Sequence, residues 1–169
     1  ACIVMVTGRM IRIKVILAAG LLAGLCYPQA LSITGDVANP VTLTAADLAK
    51  MPRIEVTLHE KNGADAVYEG VPLREILKKA GVPFGKQLRG KALASYVLAS
   101  AGDGYEVTYT LPELDPEFKN SDKIIVADKR DGKPIEGNQG PLRIVNGDDK
   151  IPARSLRMLE KLQVVMLRK

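Results

Sequence analysis

From residue 31 onward, short apolar runs follow one another too closely for a helix to be threaded between each pair. Parallel neighbours need a crossover of a dozen or more residues, usually helical. Repeated βαβ units are therefore excluded, and the chain is expected to be α+β, with mixed β-sheets and a few short helices. "LSITGDVANPVTLT" alternates and turns at Gly35-Asp36, which suggests a hairpin-like opening. "RIEVTLHE" directs Ile54, Val56 and Leu58 inward and leaves His59 facing out beside Glu60. "YEVTYTL" alternates, "GPLRIV" reads as a strand, and "KRDGKPI" holds an Asp-Gly turn. "ALASYVLASA" and "KIIVAD" are apolar nearly throughout, as strands buried on both faces would be.

Helical signals are few. In "TAADLAKMP", Thr44 can cap, Asp47 follows three residues later, and Pro52 stops the turn. "VPLREILKKAGV" is clearer, with Pro72 in its first turn, Leu73, Ile76, Leu77 and Ala80 on one stripe, and Gly81 as the stop. "PELDPEF" reads as a helical turn with a solvated acidic face. The tail "RSLRMLEKLQVVML" starts helix-like near Ser155 and finishes strand-like.

The first thirty residues read differently. "MIRIK" is a short basic segment, "VILAAGLLAGLC" is apolar but short for a bilayer span, and "YPQA" offers Ala30 as a cleavage residue. Residues 1–30 are expected to be a signal peptide directing the body, residues 31–169, to the periplasm or beyond; an uncleaved anchor is the alternative. Both cysteines, Cys2 and Cys26, fall in this leader. The body is then expected to form no disulfide, no thiolate metal site and no cysteine nucleophile. With Arg9, Arg12 and Lys14 set aside, 21 of the 24 cations face 19 acids. So balanced a charge, without any Trp to stack on bases, argues against nucleic acid as a partner.

Candidate chemistry lies in three places. His59 is the one histidine and has no evident metal-ligand partners, so a partly exposed strand histidine is the expectation. Asp103, Gly104 and Tyr105 close a strand in "AGDGYEV"; the loop either wraps a ligand or is a tight turn in which Asp103 bonds its own backbone. Arg143, Arg154, Ser155 and Arg157 supply the guanidiniums and hydroxyl that recognise phosphate or carboxylate. A helix beginning at Ser155 would add its amide end to that attraction. The alternative is that Arg143 is a water-facing strand arginine and that Asp148 and Asp149 pair with the arginines.

Taken in order, "ITGDVANPVTLTAADLAKMP", "GVPLREILKKAGV", "ASAGDGYEVTYTLPELDP" and "DGKPIEGNQGPLRIVNGDDKIPARSLRMLEKLQVV" resemble the molybdopterin-binding domain of sulfite-oxidase-type oxidoreductases. The resemblance covers nearly all of residues 31–169 and implies that fold. It implies that Arg143 holds an anion in the cofactor pocket, that Arg154, Ser155 and less directly Arg157 approach the pterin phosphate, and that Asp103, Gly104 and Tyr105 form a turn near it. The catalytic family ligates molybdenum through a cysteine between the second strand and "GVPL"; here that segment is "LHEKNGADAVYEGVPL", without one. Neither His59 nor Lys61 replaces a soft thiolate. The implied function is an exported binding protein for a pterin or other small anionic ligand, with molybdopterin as cofactor, no protein-thiolate molybdenum site and no redox turnover of its own. The alternative is a periplasmic molybdopterin-dependent oxidoreductase. A periplasmic redox or signalling partner is left unidentified.

Overall fold

The computed structural model describes residues 30–119 and 122–167, so the expected leader, with Cys2 and Cys26, lies outside the described residues but for Ala30. In chain order the strands are β1 (Ala30–Gly35), β2 (Val41–Thr44), β3 (Ile54–His59), β4 (Asp65–Pro72), β5 (Tyr96–Ala101), β6 (Glu106–Thr110), β7 (Ile124–Arg130), β8 (Lys133–Pro134), β9 (Arg143–Asn146) and β10 (Leu159–Val165). The helices are α1 (Ala45–Ala49) and α2 (Leu73–Lys79). One sheet has the order β2-β1-β10-β5-β6, with β1 and β10 parallel and the other pairs antiparallel. The other runs β3-β4-β7, and β8 and β9 both pair with β7. This is the α+β arrangement of mixed sheets expected from the strand spacing.

The opening hairpin forms as read, with Leu31 opposite Leu43 and Ala30 opposite Thr44. Thr44 and Asp47 complete a reciprocal capping box on α1. This satisfies amides that a helix start otherwise leaves unpaired. Helix α2 buries Leu73, Ile76 and Leu77 completely, each worth about 1.5–3 kcal/mol of apolar burial. Gly81, at φ +79°, ends the turn that follows it. Asp131 and Gly132, both at positive φ, make the two-residue turn between β7 and β8.

The second sheet is apolar on both faces. Ile124 and Val126 of β7 enter the main core, whereas Ile125 and Ala127 enter a smaller cluster with Val56, Leu58, Tyr68 and Val145. This explains the unbroken apolar run "KIIVAD", since alternation vanishes where both faces are buried. Gly70, at an irregularity in the β4–β7 pairing, lets the strands close: a Cβ there would lie 2.1 Å from the Val126 carbonyl oxygen.

Three local expectations are corrected. The first three residues of "ALASYVLASA", Ala92–Ala94, belong to a 3-10 turn over Gly90–Ala94 rather than to a strand, and β5 then alternates, with Val97, Ala99 and Ala101 inward. In "PELDPEF", Asp115 is buried, accepting from the Gly85 and Glu117 amides, so that acid organises a loop instead of solvating a face. No helix begins at Ser155. Pro152–Arg154 is a 3-10 turn, Met158 takes φ +48°, and β10 starts at Leu159. A side chain at positive φ interrupts helical hydrogen bonding, so no helix amide end faces this region.

Candidate functional site

The β3–β4 turn, the start of β9, the β5–β6 turn and the segment after Pro152 surround a cavity of about 260 Å³. Arg143 is its deepest cation. Placed on β9 opposite Ala127, it lies on the sheet face that carries Tyr68 and Val145, and it is only 1% exposed. Its Nη1 donates to the Tyr68 hydroxyl (2.5 Å), to Glu60 Oε1 (3.1 Å) and to Gln139 Oε1 (3.1 Å). The guanidinium carbon stands 4.9 Å from the centroid of the Tyr68 ring, within cation–π range.

All of these bonds use one nitrogen. Nη2 donates to none of the described residues, and Nε is buried without a partner. The Nε–Nη2 edge of a guanidinium presents two parallel donors, a geometry matched by carboxylate and phosphate oxygens. Arg143 is thus not the water-facing strand arginine that was one reading of "GPLRIV".

Glu60 answers the other side of Arg143. Burial raises its carboxyl pKa, but the Tyr68 hydroxyl, 2.5 Å away, and the Arg143 charge outweigh that and hold it below its usual range. Burial and the bond to Glu60 push the Tyr68 hydroxyl up to about 12, so it remains a donor. Lys61 and Arg157 line the same cavity, are exposed, and make no hydrogen bond or ion pair with the described residues. Ser155 is buried, and its Oγ accepts from the Asn146 amide at 3.1 Å while its own hydroxyl hydrogen stays free to donate.

The β5–β6 turn is the tight turn of one of its two readings. Asp103 Oδ1 accepts from the Tyr105 amide, and Gly104 takes φ +85°, as a tight turn requires. Asp103 and Tyr105 nonetheless line the cavity, and the Tyr105 hydroxyl donates to the Ala153 carbonyl at 3.0 Å, tying the two walls together.

Arg154 is a correction. It does not line the cavity; its guanidinium donates to Asp149 (2.7 and 2.9 Å) and to Glu113 (3.3 and 3.4 Å), over the Tyr109 ring. The bonds to Asp149 raise its pKa further above the ordinary arginine value. Only Arg143 of the two lines the cavity, and each engages different acids. Asp149 pairs as one reading had it, while Asp148 goes to Lys119 at 2.8 Å. His59 is exposed, paired with Asp65 across the β3–β4 hairpin and absent from the cavity lining.

Tyr68 and Glu60 had no signal of their own in sequence, Glu60 reading only as the end of the strand "RIEVTLHE". Two features bear on a cofactor. The free edge of Arg143, the Ser155 hydroxyl, Lys61 and Arg157 suit the anionic, phosphorylated part of a pterin. No group of three His, Cys, Asp or Glu side chains gathers to hold a metal among the described residues, and neither cysteine lies among them.

Residues 28–168 match the family model of the oxidoreductase molybdopterin binding domain. No curated protein matches the chain in sequence. Among solved structures, the fold is similar to that of the sulfane dehydrogenase SoxCD from Paracoccus pantotrophus, with a TM-score of 0.60 at 19% identity. The similarity covers 80% of this chain and 37% of that one, so the chain spans little more than a third of that relative's length.

Proposed function

The chain belongs to the oxidoreductase molybdopterin-binding domain family, and from that premise we propose that it is an exported binding protein for a pterin or a related small anionic molecule, without redox turnover of its own. The observation that carries the reading is the unpartnered Nε–Nη2 edge of Arg143 beside a cavity that also holds Ser155, Lys61 and Arg157. A buried guanidinium nitrogen without an acceptor is costly, and an anion docked on that edge relieves the cost. In this reading Arg143 takes the anionic group, Ser155 donates a further bond, and Lys61 and Arg157 attract the ligand from the rim. Asp103 and Tyr105 form the opposite wall.

Molybdopterin, when bound, supplies a metal with redox chemistry that belongs to the cofactor. The chain's contribution is to bind and orient the organic part; a thiolate for the metal is missing from the segment between β3 and α2, where Glu60 is engaged with Arg143 and Tyr68. Export rests on the leader composition of residues 1–30.

The test is purification of the full chain from a host that makes and exports the cofactor, with molybdenum measured by elemental analysis and pterin by fluorescence after oxidation. Pterin without stoichiometric metal supports the binding protein. Stoichiometric molybdenum favours a periplasmic molybdopterin-dependent oxidoreductase instead. Absence of both, together with no binding of phosphate to the purified protein, overturns the anion-site reading.

A further inference from the structure

A second cavity of about 230 Å³ adjoins the first and shares Glu60, Lys61 and Arg157 with it. Its own cation is Arg130, at the end of β7. Arg130 shares one feature with Arg143, although its side chain is 39% exposed and ion-paired with the neighbouring Asp131. Its Nε is buried without a hydrogen-bond partner, since the Asp131 carboxylate oxygen at 3.6 Å is beyond bonding distance. No other nitrogen of its guanidinium donates to a described residue, and its carbon stands 5.9 Å from the centroid of the Tyr68 ring. With Arg143 4.9 Å from the same centroid, the two guanidinium carbons lie at most about 11 Å apart.

Charge points the same way. Three cations, Lys61, Arg130 and Arg157, line the second cavity; of the acids beside them, Glu60 already accepts from Tyr68 and Arg143, and Asp131, outside the lining, pairs with Arg130 at 3.6 Å. Lys61 and Arg157 stand where the cavities meet and pair with no described residue. Two forked donors with orphaned nitrogens, bridged by two unpaired cations, match two linked anionic groups better than one.

We propose that Arg130, with Lys61 and Arg157, forms a second anion subsite, so that the protein selects ligands carrying two linked anionic groups, such as a diphosphate, over those carrying one. The proposal rests on the reading of the first cavity as an anion site and extends it. A diphosphate places one phosphate on Arg143 and Ser155 and the other on Arg130, with Lys61 and Arg157 between them. Free diphosphate and a diphosphate ester share this chemistry.

The experiment is calorimetry of the full chain with inorganic phosphate, pyrophosphate and a nucleoside diphosphate as the ester probe. Wild type is expected to bind pyrophosphate roughly tenfold or more tighter than phosphate, the gain of one further charge-assisted contact. Arg130→Gln should abolish that preference while leaving phosphate affinity within about twofold, because the first subsite keeps its groups. Because Arg130 packs on Tyr68, Arg130→Lys serves as the second variant. It retains the stem and the charge but not the fork, and should lose most of the preference. Preference for the ester over free pyrophosphate assigns the natural ligand to the ester class; the reverse assigns it to free diphosphate. Phosphate binding that depends on Arg143, without a pyrophosphate preference or with one that both Arg130 variants keep, overturns the second subsite and leaves the first standing. No binding of any of the three probes overturns both.

Discussion

Arg143 and Glu60 stand 83 residues apart in the chain and 3.1 Å apart at the floor of the cavity. Their pairing turns a strand arginine into a fixed donor, one nitrogen held by protein acceptors while Nε has no partner among the described residues. A buried charge that is half satisfied in this way is expensive to keep without use.

Arg143→Lys is therefore expected to weaken phosphate binding about tenfold to a hundredfold, the value of about 1.5–3 kcal/mol for a charge-assisted bond. An ammonium cannot present the parallel Nε–Nη2 pair. Calorimetry decides; affinity within twofold of wild type would show that this edge takes no anion.

Arg154→Ala has a different expected outcome. Because Arg154 is committed to Asp149 and Glu113 outside the cavity, phosphate affinity should change less than twofold. Stability should fall by about 1 kcal/mol or less, as for a part-exposed pair with its ring contact. In the double mutant with Arg143→Lys, the binding effects should simply add. Coupling in binding between the two positions would contradict the placement of Arg154.

Glu60→Gln tests the carboxylate. Its folded-state pKa lies below the ordinary value of 4.5, so its contribution to stability is present above pH 4.5 and is lost as pH falls through the lower folded value. Wild type should melt higher than the variant at pH 7, with the gap closing as pH drops below 4.5. A gap constant from pH 7 to pH 3 would mean that the carboxylate charge contributes nothing.

Gly104→Val and Gly70→Ala separate two uses of glycine. At Gly104 a side chain meets open space but must sit at φ +85°, and the expected cost is roughly 1–2 kcal/mol from backbone strain alone. At Gly70 even a methyl collides with backbone of β7, and that variant is expected not to reach the native fold. Circular dichroism and melting curves distinguish the two, and an unaltered melt for Gly70→Ala would mean the β4–β7 approach is looser than 2.1 Å implies.

Mass spectrometry of protein recovered from cells is expected to find the mature chain beginning at or near Leu31. An intact N-terminus in the washed membrane fraction would replace the signal peptide with an anchor.

How far the chain was legible depended on how local each signal was. Capping at Thr44 and Asp47, the stripe of α2 and the turn at Asp131-Gly132 are set by neighbours within four residues, and each formed as read. The tail misled for a specific reason. Leu156, Leu159 and Leu162 recur at helical spacing, yet the β10–β5 pairing shifts register between Leu159 and Lys161. One extra residue in a strand brings positions three apart onto the same face, so a bulge imitates a helix turn in sequence.

By itself the sequence determined the α+β class, the order of most elements, the family resemblance and the presence of arginines able to hold an anion. Which arginine is free to do so was decided only by the tertiary structure. Arg143 and Arg154 are the same residue type in sequence, each followed or preceded by the acids Asp148 and Asp149. Folding brought Asp149 and Glu113 to Arg154 and occupied it, while it brought Tyr68, Glu60 and Gln139 to a single nitrogen of Arg143 and left its other edge unused. The physical reason is that availability for a ligand is a property of the hydrogen bonds a group has left over. Those are set by partners up to 83 residues away, which no local pattern encodes.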